Sequence, residues 1–563
     1  MGQDVHATWP RQGAPTQKDS QDSEGRQDRR GRQDGRDSQD SPGDKGDPGG
    51  HRHGRRPLGR RQALSGLAAS AGAAALLAPG VPAGAAARIG AGSATSGSGD
   101  AYEPHFTTTH TFRPVDLIAP RFLDHDTGPL HHPPARLLAP TGPAAPFAAV
   151  IADVVALPPG AGVAPGLETA DGREAVRVRC HSTGTLAIEV VGPGGTTTVA
   201  TVRERLSAPF RLAFTVTGHT VAAFVSTGSA RGGLPWRPLL TDKGAVAALL
   251  DLRRPALLGR LRYSCRSDRG AALRRLRAGH FGQLGLRDLH LVRDAGGRPY
   301  VRGGKVFFTA GCAGAGFSQE AHTGVWAMDP ARPESMEQVA KLFFARDGLL
   351  FGDHGGQLVH DPARDRFIVL TVGGNLPTPG VAMYHTTTSA DVLRGVHILH
   401  DRPLEAPFTR SAWDPALIRY EGRWHWAYVD VTDYEPELSF RPVLAAAAPG
   451  GDYADGIALR RVPKGPLDTE GCRWQRFGGR PRLLVSDRAR KTYPRFDLSM
   501  RPRGAIDAPY PLGTPFPQVF PEPGSRSGDW LLVTFDESMY EETVLSYGTH
   551  GKVVTMRAPG PGR

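Results

Sequence analysis

The stretch S411-A-W-D-P-A-L-I-R-Y-E-G-R-W-H-W-A-Y-V-D430 consists of two apolar runs folded about the turn pair Glu421-Gly422. Short runs rich in Trp, Tyr, Val and Ile on either side of a glycine turn read as a β-hairpin. The same plan, a short strand, a turn carrying Gly or Asp and a second apolar strand, recurs four more times. It opens at Gly285, Gly352, Asp468 and Gly513, in segments such as G352-D-H-G-G-Q-L-V-H-D361 and D468-T-E-G-C-R-W-Q-R-F477. Further strand-like runs fill the gaps, among them V325-W-A-M328, V381-A-M-Y384, V443-L-A-A446 and V544-L-S-Y547. Repeats of roughly 50 to 65 residues with room for four strands each define a β-propeller, here five-bladed over residues 279–563.

Upstream, residues 101–270 also read as all-β. L186-A-I-E-V-V191, T197-T-V-A-T-V-R203, F210-R-L-A-F-T-V216 and T220-V-A-A-F-V-S226 are strands separated by the turns G192-P-G-G195 and T217-G-H219. A meander of this kind predicts an antiparallel β-sandwich, similar in architecture to the concanavalin-like modules that accompany carbohydrate enzymes. The 71 glycines and 49 prolines of the 563-residue chain suit short strands and turns. Residues 1–58 carry almost no large apolar side chains and predict a disordered extension. G59-R-R-Q-A-L-S-G-L-A-A then reads as a twin-arginine export signal over 59–87, with Ala63 where a bulky aromatic is usual. Cleavage near Ala85 or Ala87 would release a secreted protein with no membrane anchor. The four cysteines, Cys180, Cys265, Cys312 and Cys472, allow two disulfides in that setting, Cys180 with Cys265 being the expected pair. The formal charge of +12 is spread along the chain among acids, without a basic stripe interleaved with aromatics, so no nucleic-acid partner is expected.

Inner strands of a propeller surround one axis, so equivalent positions at their starts converge on one pocket. Aligning the repeats on the pairs Leu291/Val292, Leu358/Val359, Leu417/Ile418, Arg473/Trp474 and Val519/Phe520 puts Asp288, Gly355, Asp414, Glu470 and Phe516 in register. Three carboxylates facing one another raise each other's pKa, and the one in the most apolar surroundings stays protonated. Such a set suits general acid–base work on a glycosidic bond.

With R287-D-L-H-L-V292, W413-D-P-A-L-I418 and T469-E-G-C472, two repeats and then one repeat apart, residues from about Gly279 to Met556 resemble glycoside hydrolase family 43 and its five-bladed relatives. The resemblance implies that Asp288 is the base activating water, that Asp414 tunes and orients the acid, and that Glu470 is the acid. It also implies an inverting reaction on an arabinose- or xylose-containing polysaccharide. Leu289 and Cys472 stand where that family has prolines, and Gln518 where some relatives carry a metal-holding histidine.

Around these acids, Asp353 and His354 are candidate sugar ligands, with Asp353 a second candidate for the third acid. His290, Gln357 and Gln518 share the third inner-strand position and should face the axis, and Trp413 could stack on a sugar ring. No cofactor is called for, and an axial cation is left open. His125, His131 and His132 lie among prolines and read as an exposed loop rather than a metal site. A310-G-C-A-G-A-G-F317 follows a strand but opens no helix, which excludes a phosphate loop. The expectation is a monomer whose partners are a polysaccharide and the twin-arginine export machinery. The alternative is a non-catalytic propeller that binds glycan or cell wall.

Overall fold

A computed structural model describes residues 104–131, 133–228, 235–242, 244–374, 380–463, 468–477, 479–540 and 551–560. All of them lie within the unit Leu67–Arg563. The expected extension, export signal and His132 lie outside the described residues, as does the run V544-L-S-Y547. No described helix is long and apolar enough to cross a membrane.

The sandwich is two six-stranded antiparallel sheets. One runs, in spatial order, Arg237–Thr241, Thr220–Ser226, Phe210–Thr217, Phe147–Ala156, Ala272–Gln283, Asp116–Asp126. The other runs Arg136–Leu138, Leu261–Ser267, Gly162–Thr169, Ala175–His181, Thr185–Gly192, Gly195–Arg203. Alternate side chains such as Val150, Phe214, Val176, Ile188 and Tyr263 fill the space between them. F147-A-A-V-I-A-D-V154 breaks the usual alternation of buried and exposed residues, being buried throughout. Its second face, with Phe147, Ala149 and Ile151, packs against Ala315, Phe343 and Tyr540 of the propeller. A strand buried on both faces is apolar almost throughout, and its one charged residue here, Asp153, is paired with Arg277.

Five four-stranded units form the propeller, their inner strands being Leu286–Leu291, His354–Asp361, Ser411–Tyr420, Thr469–Phe477 and Gln518–Pro521. The first sheet is enlarged to seven strands by Val301–Arg302, Leu349–Phe351 and Gly395–His400, and the second to five by Arg293–Asp294. In blade five the third strand is Val553–Ala558, and the fourth comes from far upstream. Thr107–Phe112 pairs antiparallel with it, Thr107 opposite Arg557 and Phe112 opposite Val553. Two expected boundaries are thereby corrected. Thr107–Phe112 clasps the propeller shut instead of opening the sandwich, and Ala272–Gln283 is a sandwich strand, so the first propeller strand begins at Leu286. The sandwich is therefore inserted between the outermost strand of the last blade and the innermost strand of the first. T107-T-T-H-T-F112 is a short, mostly exposed edge strand, and nothing local in it identifies a partner more than 400 residues away.

All four cysteines are free and buried. The expected Cys180–Cys265 bridge fails on geometry. Cys180 pairs with Val163 on one side of the strand Gly162–Thr169 and Cys265 with Pro165 on the other. Two strand spacings, about 9.6 Å, separate them, beyond the reach of a disulfide. His125 sits on the strand Asp116–Asp126 rather than in a loop, and His131 is exposed. No group of three metal-binding side chains occurs among the described residues.

Candidate active site

Each of the first four inner strands carries a bulge at its start, where two residues face one on the second strand. The bulges lie between Arg287 and His290, His354 and Gln357, Trp413 and Ala416, and Glu470 and Arg473. The first bulged residue has a left-handed backbone every time: Asp288 (φ 54), Gly355 (φ 60), Asp414 (φ 54) and Gly471 (φ 73). Glycine and, less readily, aspartate tolerate that conformation, so the residue types at this position follow from the bulge. The bulges also correct the register of blade four. Trp474, not Arg473, is the counterpart of Leu291, Leu358 and Leu417, so Glu470 stands one position before Asp288 and Asp414, level with Arg287, His354 and Trp413.

Glu470 nevertheless joins the acid cluster. Gly471 N–H donates to Asp414 Oδ2 at 2.8 Å, which ties the peptide after Glu470 to the Asp414 carboxylate. Asp414 is buried and its pKa is raised, first by burial and then by Asp288, with Arg473 opposing. Part of the Glu470 surface meets solvent, but protein crowds its carboxyl. Loss of hydration, then the charges of Asp414 and Glu537, push its pKa up to about 8 against the pull of Arg287 and Arg488. At neutral pH Glu470 is thus a protonated acid beside a carboxylate. Two carboxyls whose surroundings separate their proton affinities are the arrangement acid–base chemistry requires.

Asp288 is buried and receives Arg287 Nε at 3.1 and 3.2 Å on its two oxygens. Arg287 also faces Glu537 at 3.5 Å. Glu537, buried and raised in pKa by burial, is a fourth acid that the alignment of inner strands missed. It follows the second strand of blade five, Trp530–Phe535, whose end returns to the rim where the inner strands begin. An acid just past a second strand, as in L531-L-V-T-F-D-E537, was the available signal. Arg473, fully buried, runs under the cluster with its guanidinium 4.8 Å from the Phe516 ring and its Nη1 donating to Cys472 O at 2.7 Å. It helps keep Asp414 ionised.

The other candidates divide. His354 is buried beside the cluster; burial lowers its pKa and the charge of Asp288 partly restores it. His290 is fully buried at the axis, kept neutral by burial and by Arg473 and Arg293. Asp353 is neither a free sugar ligand nor a third acid. Arg346 grips it with two bonds of 2.6 and 2.7 Å and reaches Asp401 at 3.0 Å, while stacked between Phe351 and Tyr384. Gln518 is spent on structure, accepting from Leu291 N–H at 3.0 Å and donating to Leu289 O at 2.9 Å, so it stitches blade five to blade one. Gln357 does the same between blades two and three by accepting from Leu417 N–H at 2.9 Å. Trp413 is only 7% exposed and packs on Phe440, which withdraws it as a sugar platform.

No family model matches the sequence, and no curated protein matches it. Among solved structures, the chain is similar to a family-43 (GH43_1) enzyme of Xanthomonas citri at 11% identity and a TM-score of 0.34, over 49% of this chain and 87% of that one. It is similar to an α-L-arabinanase of Penicillium chrysogenum at 13% identity and a TM-score of 0.31, over 63% and 91%. It is also similar to sheep galectin-11 at 14% identity and a TM-score of 0.20, over 27% and 97%.

Proposed function

We propose that the protein is a secreted glycoside hydrolase acting on a polysaccharide, with arabinose- or xylose-containing glycans as the substrate class. Glu470 protonates the leaving oxygen, Asp288 activates a water on the opposite face of the sugar, and Asp414 holds Glu470 in place and keeps it protonated. The outcome is inversion. The observation that carries this reading is the unequal pair at the mouth of the inner strands, a protonated Glu470 bound through its own peptide to the carboxylate of Asp414. The test is sugar release from arabinans, arabinogalactans and xylans by the mature chain beside a Glu470→Gln variant. Release by the wild type that vanishes in the variant supports the assignment, and release that survives removes Glu470 as the acid. Export rests on the G59-R-R-Q segment and is checked by replacing Arg60 and Arg61 with lysine and assaying the medium.

One observation favours a second reading, a glycan-binding propeller without catalysis. Arg287 bridges Asp288 and Glu537, and a carboxylate held by a guanidinium is a poor base. Glycan binding with no release from any polymer would select it.

A further inference from the structure

A cavity opens beside the acid cluster, between sandwich and propeller. It holds about 180 Å³, room for several waters and on the scale of one sugar ring. The sandwich supplies Gly218, His219 and Arg253, and the propeller supplies Gln319, the Leu350–His354 entry to blade two and Val372–Gly374. His354 belongs to both places, lining this cavity while its proton affinity responds to Asp288.

The wall from the sandwich is fixed rather than loosely apposed. Gly218 and His219 form the two-residue tip of the hairpin joining Phe210–Thr217 to Thr220–Ser226. A side-chain carbon at Gly218 would lie 3.1 Å from Gln319 O, so the backbone itself touches the propeller. Thr220 Oγ1 donates to Glu320 Oε1 at 2.8 Å, His219 Nε2 lies 3.5 Å from the same oxygen, and Leu350 N–H donates to Arg253 O at 2.9 Å.

The charges in the wall cancel locally. Arg253 forms a two-pronged pair with Asp251 at 2.9 Å, and Arg346 is taken up by Asp353 and Asp401 together. His219 is kept neutral, first by burial and then by Arg253, and His354 by burial. What faces the cavity is therefore a set of neutral donors and acceptors (two imidazoles and the Gln319 amide) beside the apolar Leu350 and Val372. That combination, with the Arg253 guanidinium already paired to Asp251, suits the hydroxyls and C–H face of an uncharged sugar better than a uronate or phosphate.

We propose that this cavity is a subsite for one neutral sugar residue next to the bond being cleaved, with the sandwich hairpin Gly218–His219 as its outer wall. The proposal rests on the glycosidase reading and adds that the sandwich takes part in substrate recognition. The test is calorimetric titration of arabinose, arabinotriose, xylose and xylotriose into Glu470→Gln protein, which holds substrate without turnover. Two second-site versions are compared with it: His219→Trp, which fills the cavity, and Gln319→Ala, which leaves it open. The matching trisaccharide should bind at least about tenfold tighter than its monosaccharide, a difference of about 1.4 kcal/mol. His219→Trp should erase that gain and Gln319→Ala should reduce it, each with an unchanged urea midpoint. If His219→Trp fails to fold, Gln319→Ala and His219→Ala carry the comparison. A length-dependent gain that survives these changes overturns the subsite while leaving the glycosidase reading intact. No sugar binding to Glu470→Gln, with no release by the wild type, overturns both.

Discussion

Asp414→Asn separates charge from shape at the centre of the proposed mechanism. The asparagine carbonyl still accepts from Gly471 N–H, now 2.8 Å from Asp414 Oδ2, so the backbone beside Glu470 keeps its anchor. The negative charge goes. Repulsion between neighbouring carboxylates in a partly dry site is on the order of 2 kcal/mol, or about one to two pH units, and here the Asp414 charge ranks second only to burial among the causes of the raised Glu470 pKa. From a wild-type value pushed up to about 8, the Glu470 carboxyl should fall by about one to two units, so that it passes from mostly protonated toward mostly ionised at pH 7. The assay is the pH profile of kcat/KM on whichever arabinan or xylan the wild type hydrolyses. The basic limb reports the acid of the free enzyme and should move down by one to two units, about a fivefold loss at pH 7. Stability gives an independent reading. A carboxyl with a raised pKa in the folded state contributes stability below its ordinary value that is lost as pH rises through the folded value. For Glu470 that window runs from about 4.5 up to about 8. Asp414, raised as well, adds the same sign at lower pH. The urea midpoint of the wild type should therefore decline across this range, and Asn at 414 should flatten the decline. A basic limb that stays in place or moves upward refutes the coupling between the two carboxyls.

Three further outcomes follow from the geometry. Gln518→Leu strands Leu291 N–H and Leu289 O in a dry interior and should cost about 2–6 kcal/mol in urea unfolding, at about 1–3 kcal/mol per buried group left unpaired. Arg346→Met removes the cation between Asp353 and Asp401 and should cost about 3–5 kcal/mol, since it leaves buried carboxylates uncompensated. A Met variant as stable as wild type would return Asp353 to the list of available acids. Thiol titration of the purified protein should find none of the four cysteines reactive under native conditions and all four in denaturant, in the absence of reductant; a total of two would restore a disulfide.

The repeat was legible because each hairpin carries its own hydrophobic pattern, and Asp288 and Asp414 were legible because the bulge that displays them recurs at a fixed place in that pattern. Glu470 was found through an alignment one residue out of register. Arg473 was taken for an apolar inner position, whereas it lies under the acids and Trp474 fills the blade core. Glu470 lies beside Asp414 all the same, because the bulge at Gly471 ties the peptide after it to the Asp414 carboxylate. Glu537 was invisible to any comparison of inner strands, since it reaches the rim from the opposite chain direction. Asp353 shows the converse limit. Its position and residue type suit a ligand, and only the partner at Arg346, packed between two rings, reveals that its charge is already used.

The clasp strand links these observations to the sandwich. Thr107–Phe112 must pair with Val553–Ala558 before the ring is complete, and the sandwich occupies the chain between that strand and blade one. Both ends of the insertion are thus held by neighbouring blades. The buried face of Phe147, Ala149 and Ile151 then fixes its orientation against Phe343 and Tyr540. An apolar interface of this kind resists the relative motion usual between domains. With three constraints on one rigid sandwich, the hairpin tip at Gly218–His219 has little freedom in where it meets the propeller, and it meets it at the entry to blade two, beside His354 and the acids. A module tethered by a single linker could drift from such a rim, but an inserted one stays there. The insertion is the structural reason to treat the sandwich as part of the site.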